Sequence, residues 1–531
     1  MWAVFCYTDC DMRDQNKKVE CEVLRPFYEY GRTFKAGEIV ELPFYDAVRF
    51  GGAGLIRFVS EGWKPLPENV SVSVIVLLYE TEFAEFHKWA LTLLESHKNG
   101  KADLGVVVVE NTGHDYPDKD QNLAFAAGLG FKTVISPVNL GFARGVNAGL
   151  RVADGDITVL LNDDMEFREA GWLDVLIEPL RLNPKAGVCG ADLQRMDGGD
   201  WRDYDRPDWV CGACFAVRTA DFKRFGGFDE RYFFSWEETD YCHLLTKLGY
   251  EVLKTTAKAW HQGGETAAAT PSAFALKHFE QGRAIYREKW AGEGGVRIVG
   301  SMIVGNEKGR YLEETLAYIL PRVCRLVVVD DASTDGTWSI LRTWQDKHPE
   351  KVVLYRNLHS RFREDEHLAR EELHCKALKE APDWIIPLDA DEELSQGFDT
   401  RIDDIMRMGK ACDFPIVHLW GDREHRRVDG FWGIQSNVRF YPVRWNKPQN
   451  FYCQPLHCGS APLYAYTEKE LVQDVALIHK GWMNTSEFEA KKQRNQTLDP
   501  TGYWEPQEHL TSDATVMPFK DTPDVKNFRR I

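Results

Sequence analysis

The chain has 531 residues, and at about 150 residues per domain this length predicts two to four domains. Hydrophobic residues make up 44% and charged residues 28% of it, a composition that supplies several cores and excludes a disordered or fibrous protein. Because the formal net charge of −17 repels polyanions, we expect no general nucleic-acid binding. There is neither an apolar run of about 18 residues, as a transmembrane segment needs, nor a signal-peptide pattern, so we expect a cytoplasmic protein.

The two ends of the sequence differ from its middle. Residues 1–65 contain aromatic and β-branched runs separated by Gly-containing turns, which predicts a small β-rich module. The segment 64–70, KPLPENV, has two prolines and no periodicity and is typical of a linker. Residues 501–531 are rich in Pro, Asp and Thr, and we expect a C-terminal tail that lies on the surface or is partly disordered.

From residue 71 onwards, buried strands alternate with amphipathic helices. The run SVSVIVLLY (71–79) is continuously apolar, as in a parallel strand that is buried on both faces. A helical pattern follows it, and two further strands, GVVVVEN and ITVLLNDD, come after that. This order predicts a Rossmann-like α/β domain over residues 71–290.

The same pattern returns over residues 297–500, with strands RIVGSMIVGNE, RLVVVDD and DWIIPLDADEE. Glu80 and Asp164 are 84 positions apart, and so are Glu307 and Asp391. The equal spacing between corresponding strand ends predicts two copies of one architecture rather than one large sheet.

Polar residues end the strands of both copies, at the edge where open parallel sheets bind ligands. Carboxylates that converge at one edge repel each other, and such a group usually holds a divalent cation such as Mg²⁺ or Mn²⁺. A single Asp could instead cap the following helix, but the matched pattern in two copies favours the metal. The strand-end residues are Glu110, Asn111, Asn162, Asp163 and Asp164 in the first copy and Asp330, Asp331, Asp389 and Asp391 in the second.

The chain resembles two tandem glycosyltransferase family 2 domains of the GT-A fold. In the first copy PVNLGFARGVNAGL, LLNDDMEF, the segment from VCGACFAV to KLGYEV, and AWHQGG follow the pattern of rhamnosyltransferase-like members in order. In the second copy NEKGRYLEETL, VVVDDASTDGT and PLDADEEL resemble the family. The later VRFYPVRW, QPLHC and LIHKGW are similar to lipopolysaccharide-core glucosyltransferase-like members. The resemblance implies an α/β protein with two Rossmann-like GT-A domains in tandem, after the β-rich module.

The resemblance further implies inverting, metal-dependent transfer of a sugar from a UDP-, dTDP- or GDP-linked donor to a hydroxyl of a glycan or another acceptor. By similarity, Asp164 and Asp391 would hold Mn²⁺ or Mg²⁺, with His261 and His479 completing the two metal sites. Each histidine could instead be a hydrogen-bonded core residue.

The resemblance places nucleobase contacts at Asn111 and Asp331, with Glu110 and Asp330 beside them.

Three further residues, Asn162, Asp163 and Asp389, would face the ribose and the diphosphate. Arg144 lies in the loop before the metal-binding strand, where it could pair with the diphosphate or form a surface salt bridge.

A positioned carboxylate is expected to take the proton of the attacking hydroxyl. The segment SWEETDYC (235–242) occupies the acidic base motif of the family, with Glu238 at the usual Asp position and Glu237 and Asp240 flanking it. The choice between Glu237 and Glu238 stays open, and the segment could also be an exposed acidic turn that caps the next helix.

The second copy lacks this motif, because His457-Cys458 stands where related sequences often carry His-Glu. We therefore keep two hypotheses, a bifunctional transferase and a single active domain next to a silent nucleotide-sugar or glycan-binding domain. Nucleotidyl transfer ranks below both, because neither first strand is followed by a Gly-rich basic phosphate loop.

Overall fold

The computed structural model describes residues 65–196, 209–262, 273–290, 295–428, 435–451, 459–483 and 515–518, together with the backbone of five short strands near the N-terminus. Three of these strands form an antiparallel sheet in the order β4-β1-β5, and β2 pairs with β3. They lie within the predicted β-rich module, whose other residues up to 64 are outside the described part, as is most of the predicted tail. The strands are Lys18–Val23 (β1), Phe27–Glu29 (β2), Arg32–Phe34 (β3), Ile39–Pro43 (β4) and Ile56–Phe58 (β5).

The chain divides into two compact units, and the boundary between them falls at Gly295 and Val296. The first unit holds an eight-stranded sheet. Its strands are Ser71–Leu78 (β6), Asp103–Glu110 (β7), Lys132–Ile135 (β8), Ile157–Asn162 (β9), Met165–Glu166 (β10), Ala186–Arg195 (β11), Cys214–Arg218 (β12) and Glu251–His261 (β13). Its helices are Phe83–His97 (α1), Lys119–Gly128 (α2), Gly141–Leu150 (α3), Trp172–Leu182 (α4), Thr219–Arg224 (α5), Glu237–Lys247 (α6) and Ala273–Trp290 (α7).

The sheet order is β10-β13-β11-β12-β9-β6-β7-β8, with β6 parallel to both β7 and β9. The centre of β6 is buried on both faces, as its continuous apolar run predicts. On one face its valines join a core that includes Trp89 of α1 and Trp172 of α4. The carboxyl ends of β6, β7 and β9 therefore meet at one edge of a rigid sheet.

The second unit is built in the same way. Its strands are Ile298–Val304 (β14), Arg325–Asp330 (β15), Val352–Arg356 (β16), Trp384–Pro387 (β17), Glu392–Leu394 (β18), Ala411–Trp420 (β19), His425–Arg427 (β20), Ser436–Pro442 (β21), Lys469–Leu471 (β22), Leu477–Trp482 (β23) and Val516–Pro518 (β24). Its helices are Leu312–Ile319 (α8), Thr337–Lys347 (α9), Arg361–Glu364 (α10), Glu366–Leu378 (α11), Gly397–Met408 (α12) and Leu463–Thr467 (α13), with a 3₁₀ turn at Leu320–Arg322.

The two sheets repeat one topology. The order β16-β15-β14-β17-β21-β19 of the second unit matches β8-β7-β6-β9-β12-β11 of the first. In addition, β23 runs parallel to β19 and antiparallel to the short β18, as β13 does to β11 and β10. The prediction of two copies, each with its own sheet, is confirmed.

The residue matching on which that prediction was based is wrong by one position. Equal spacing pairs Glu80 with Glu307, whereas the backbone pairs Glu80 with Asn306. Both are the second residue after the first strand, and both have left-handed φ angles, 50° and 58°. Each donates its backbone N–H to a hydroxyl, that of Thr112 or Ser333, so the strained turn is held in the same way in both copies.

None of the helices in the described ranges combines the length and the hydropathy of a membrane span.

Candidate active sites

Asp164 and His261 are brought together at the edge of the first sheet by a short antiparallel ladder. Met165 of β10 pairs with His261 of β13, and Gln262 N–H donates to the backbone oxygen of Asp164 at 3.1 Å. His261 Nε2 then lies 3.0 Å from Asp164 Oδ1. That oxygen is buried and accepts no hydrogen bond from the described residues, which leaves a lone pair available to a cation.

The second sheet has the same ladder. Glu392 of β18 pairs with His479 of β23, and Lys480 N–H donates to the backbone oxygen of Asp391 at 2.8 Å. The His479 Nε2 atom lies 3.5 Å from Asp391 Oδ2. His479 Nδ1 is 2.9 Å from Nδ1 of His418, whose pKa is lowered to about 3 by burial and by the neighbouring His479.

Each pair offers one carboxylate and one imidazole. Within the described ranges no group of three or more His, Cys, Asp or Glu side chains could hold a metal without other ligands. Mg²⁺ often uses only one or two protein ligands and completes its shell with substrate phosphate oxygens and water. The two pairs therefore fit a cation that is held jointly with a bound diphosphate.

The aspartates close to the two Asp–His pairs, Asp163 and Asp389, have different hydrogen-bonding and charged neighbours. Asp163 accepts a hydrogen bond from the Thr81 hydroxyl, and burial raises its pKa to about 7. Asp389 Oδ1 and Oδ2 lie 3.3 Å from Arg370 Nη1 and Arg439 Nη2, respectively. Burial alone would raise the pKa of Asp389, but the two guanidinium charges keep it below its usual range.

Asn162 contacts the Asp164–His261 pair: its Nδ2 lies 3.4 Å from Nε2 of His261. Arg144 is half-exposed and donates from Nε to the backbone oxygen of Glu230 at 3.1 Å. Its Nε also lies 3.8 Å from Glu230 Oε2, and a contact between Arg144 and a diphosphate stays a prediction.

Asn111 and Asp331, the predicted nucleobase residues, both hold the loop that follows the next strand. Asn111 accepts from Leu140 N–H and donates to the backbone oxygen of Gly141, each at 3.1 Å. Asp331 accepts from Asn357 Nδ2 at 2.7 Å, and its other donors are grouped around α10. These are the hydroxyl of Ser360 and the backbone N–H groups of Arg361 and Phe362.

Their neighbours Glu110 and Asp330 have no exposed surface. Glu110 accepts from the Tyr116 hydroxyl at 2.9 Å and from Thr112 N–H at 3.0 Å. Asp330 Oδ2 lies 3.0 Å from Arg356 Nε. In this conformation both carboxylates support loops rather than face a ligand.

The acidic motif of the first unit is buried at the start of α6, so the exposed-turn alternative is wrong. Glu237 is 4% exposed and Glu238 8% exposed. Burial and the charge of Glu238 raise the pKa of Glu237 well above its usual range, while Trp209 Nε1 donates to Glu238 Oε1 at 3.2 Å. The charge of two adjacent carboxyls in one buried place makes it costly to ionise both of them.

Asp240 has a different role from its two neighbours. It accepts from Lys289 Nζ at 2.6 Å, Trp290 Nε1 at 2.8 Å and the Tyr232 hydroxyl at 3.1 Å. Lys289 has no exposed side-chain surface and also pairs with Asp229 at 3.0 Å. These contacts join α6 to α7, and the catalytic role of Asp240 stays a prediction.

The turn before α6 is strained. Ser235 and Trp236 have φ angles of 71° and 79°, in the left-handed region that side chains rarely adopt. A Cβ atom on Gly282 of α7 would lie 2.9 Å from the backbone oxygen of Ser235, so α7 approaches the turn closely at this glycine. Strain of this kind is concentrated at functional sites.

Sequence reasoning missed Lys289, Arg439, Arg370 and His418. Each acts through a partner that is between 19 and 61 positions away, and none belongs to a recognisable motif. The one available signal was a charged or imidazole residue within an otherwise apolar stretch, as in VRFYPV and FPIVHLW.

Two segments of the chain, residues 73–244 and 302–475, match the model of the family described as Glycosyl transferase family 2. The chain belongs to glycosyl transferase family 2. The predicted fold class, two Rossmann-like GT-A domains in tandem, is confirmed by these matches and by the repeated topology, and the prediction of a glycosyltransferase is confirmed at the level of the family.

This family 2 protein is similar over part of its length to curated proteins. The N-acetylglucosaminyl-diphospho-decaprenol L-rhamnosyltransferase of Mycobacterium tuberculosis is 25% identical over 196 residues, which are 29% of this chain and 63% of the relative. Among solved structures, a mannosyltransferase from Pyrobaculum calidifontis with GDP-Man and Mn²⁺ matches 43% of this chain and 62% of its own at 18% identity and a TM-score of 0.32. A glucosyl-3-phosphoglycerate synthase from M. tuberculosis with Mn²⁺ and UDP-glucose matches 40% and 76% at 14% identity and a TM-score of 0.29.

Proposed function

We propose that the chain is a bifunctional, metal-dependent, inverting glycosyltransferase that moves sugars from nucleoside-diphosphate donors to acceptor hydroxyls. The observation that carries the proposal is the strand-end Asp–His pair, which occurs at the same place in both sheets. A Mn²⁺ or Mg²⁺ ion, when bound there, would stabilise the negative charge of the leaving nucleoside diphosphate. Asp164 with His261, and Asp391 with His479, would hold it.

In the first unit the chain also supplies a base. Burial and the charge of Glu238 raise the pKa of Glu237, which favours Glu238 as the base, and Trp209 Nε1 orients Glu238 by donating to its Oε1. Glu238 would accept the proton of the acceptor hydroxyl as that oxygen attacks the sugar carbon. A base on the acceptor side, opposite the leaving group, is what inversion at that carbon requires.

The relative's name, a rhamnosyltransferase acting on a diphospho-decaprenol-linked sugar, supports a lipid-linked glycan as one acceptor class for the first unit. The lipopolysaccharide-core glucosyltransferase-like character of the second unit stays a proposal based on its late motifs.

The alternative, a second unit that binds a donor without transfer, is favoured by one observation. Between β21 and β23, where the first unit carries α6, the described residues contain no two adjacent carboxylates. The segment WGDREHRRVDG (420–430) offers Asp422, Glu424 and Asp429 as candidate bases without a recognisable motif. Asp422 and Glu424 are exposed, Asp422 pairs with His425 at 2.9 Å, and Asp429 lies outside the described part.

The experiment is transfer and donor hydrolysis with a panel of nucleotide sugars, using the full chain and the variants Asp164→Asn and Asp391→Asn. Two activities, each removed by one substitution, would support the bifunctional enzyme. One activity, removed by Asp164→Asn alone, together with Mn²⁺-dependent nucleotide binding that Asp391→Asn removes, would support the alternative. Activity untouched by either substitution would refute both.

A further inference from the structure

His479 is part of a chain of hydrogen-bonding groups in the second unit. Its Nδ1 lies 2.9 Å from Nδ1 of His418, and the two rings are nearly perpendicular, at 88°. His418 Nε2 lies 2.9 Å from Oε1 of Gln435. His418 is buried, so the ring is held by these two contacts rather than by solvent.

The chain of contacts fixes the protons. Gln435 Oε1 is a carbonyl oxygen and accepts only, so His418 Nε2 carries a proton and donates it. A neutral imidazole has one N–H, which leaves His418 Nδ1 as an acceptor. The proton between the two rings therefore belongs to Nδ1 of His479, and His479 Nε2 carries a lone pair.

We propose that Gln435 and His418 are positioning residues that hold His479 as the Nδ1–H tautomer, with the lone pair of Nε2 directed at Asp391. The proposal deepens, and rests on, the proposed function of the Asp391–His479 pair as a cation site. The 3.5 Å between His479 Nε2 and Asp391 Oδ2 agrees with it, because two acceptors face each other there without a hydrogen bond. Removing a group that hydrogen-bonds a metal-ligating histidine typically weakens metal binding about 10–100-fold.

The first unit shows that this arrangement is specific to the second. In the parallel pairing of β11 with β13, the residue opposite His261 is Arg195; in the pairing of β19 with β23, the residue opposite His479 is His418. A guanidinium has donors only and cannot accept a proton from an imidazole. The tautomer of His261 is therefore not set through this position.

Nitrogen NMR of the metal-free full chain, labelled with ¹⁵N-histidine, tests the tautomer directly. The resonances of His479 are assigned by comparison with His479→Gln. We expect a protonated Nδ1 and an unprotonated Nε2 for His479, and a protonated Nε2 for His418. A proton on Nε2 of His479 would overturn the proposal.

Binding of Mn²⁺, followed by electron paramagnetic resonance with saturating UDP and repeated with GDP and dTDP, tests the consequence. All variants carry Asp164→Asn, so that the second sheet edge is observed alone. His418→Leu should weaken Mn²⁺ binding about 10–100-fold. His418→Asn, of similar size and with an acceptor oxygen near the former Nδ1, should retain the tautomer and the affinity within about threefold.

If His418→Leu and His418→Asn weaken Mn²⁺ binding equally, or if neither weakens it, the positioning role is overturned. A side chain that only fills space at this position would not make the two variants differ. Arg195→Leu is the matched control and should leave Mn²⁺ binding at the second edge unchanged. If Asp391→Asn in this background does not weaken Mn²⁺ binding, the proposed metal site is wrong, whereas the tautomer is decided separately by the NMR spectrum.

Discussion

The two sheet edges differ in charge two positions before the Asp of the Asp–His pair. The first edge has the neutral Asn162 there, whereas the second has Asp389, which lies between Arg370 and Arg439. The first edge has a buried Glu–Glu pair at the start of α6; the corresponding described part of the second has none. One backbone thus carries two differently charged sites. The shared part is the Asp–His ladder, and the parts that differ are those expected to contact the sugar and the acceptor.

The largest effect should come from the group that only the first unit has. We expect Glu238→Gln to slow transfer by the first unit about 10²–10⁴-fold, because the amide cannot accept the proton. Glu237→Gln should be much milder, since burial and the charge of Glu238 raise the pKa of Glu237 and disfavour its ionised form. Rates are compared in a chain that carries Asp391→Asn. Equal losses in both variants would contradict the assignment of Glu238 as the base.

The next effect concerns the contacts that hold α6, the helix that carries Glu238. Lys289→Met removes the cation paired with the buried Asp240, a change that typically costs about 3–5 kcal/mol, whereas Asp229 keeps its pairing with Arg231. Hydrogen exchange of α6 and α7, measured by mass spectrometry, should show the loss. Lys277→Met, at an exposed position of the same helix, is the control. Unchanged exchange in α6 after Lys289→Met would show that the two helices are not coupled through this residue.

Asn111 and Asp331 sharpen the comparison, since they hold corresponding loops. Asp331→Ala leaves several donors unsatisfied and should lower the local stability of α10 by about 1–3 kcal/mol. Asn111→Ala should do the same for residues 139–141. Hydrogen exchange in the nucleotide-free protein measures both. If exchange is unchanged and only nucleotide affinity falls, the residues contact the nucleobase, as the sequence predicts.

The smallest effect is a dependence of the free energy of unfolding on pH. The pKa of Glu237 is raised in the folded chain, so the folded state binds more protons than the unfolded state above the ordinary pKa of about 4.3. Stability due to this group is present at low pH and falls by up to about 1.4 kcal/mol per pH unit as the pH rises towards the folded pKa. Glu237→Gln should remove this fall in the unfolding of the first unit. Parallel pH profiles of variant and parent would contradict it.

The sequence predicted well what depends on local pattern. Continuous apolar runs followed by polar residues located the central strands, and parallel strands necessarily bring Asp164 and Asp391 to sheet edges. The family resemblance also indicated the late histidine for each Asp, and the two histidines lie in the strands beside β11 and β19.

The sequence could not predict which of the candidate site residues already use their polar atoms in hydrogen bonds within the protein. Asn111, Asp331 and Asp240 have the residue types and positions of ligand contacts, yet their hydrogen-bond partners come from distant loops and helices. Lys289 is an ordinary basic residue of an amphipathic helix until the fold buries it between two aspartates. The one-position error at Glu307 has a similar cause, since counting residues does not detect a difference in loop length.

In both units the backbone N–H of the residue after the histidine donates to the backbone oxygen of the paired Asp. This hydrogen bond affects which substitutions near the pair the chain tolerates. The spacing of the two side chains is determined by main-chain atoms, which every amino acid except proline supplies. Neighbouring residues can therefore be replaced freely without moving the Asp and the His apart. That independence lets two halves of one polypeptide keep the same pair while the charged residues around it differ.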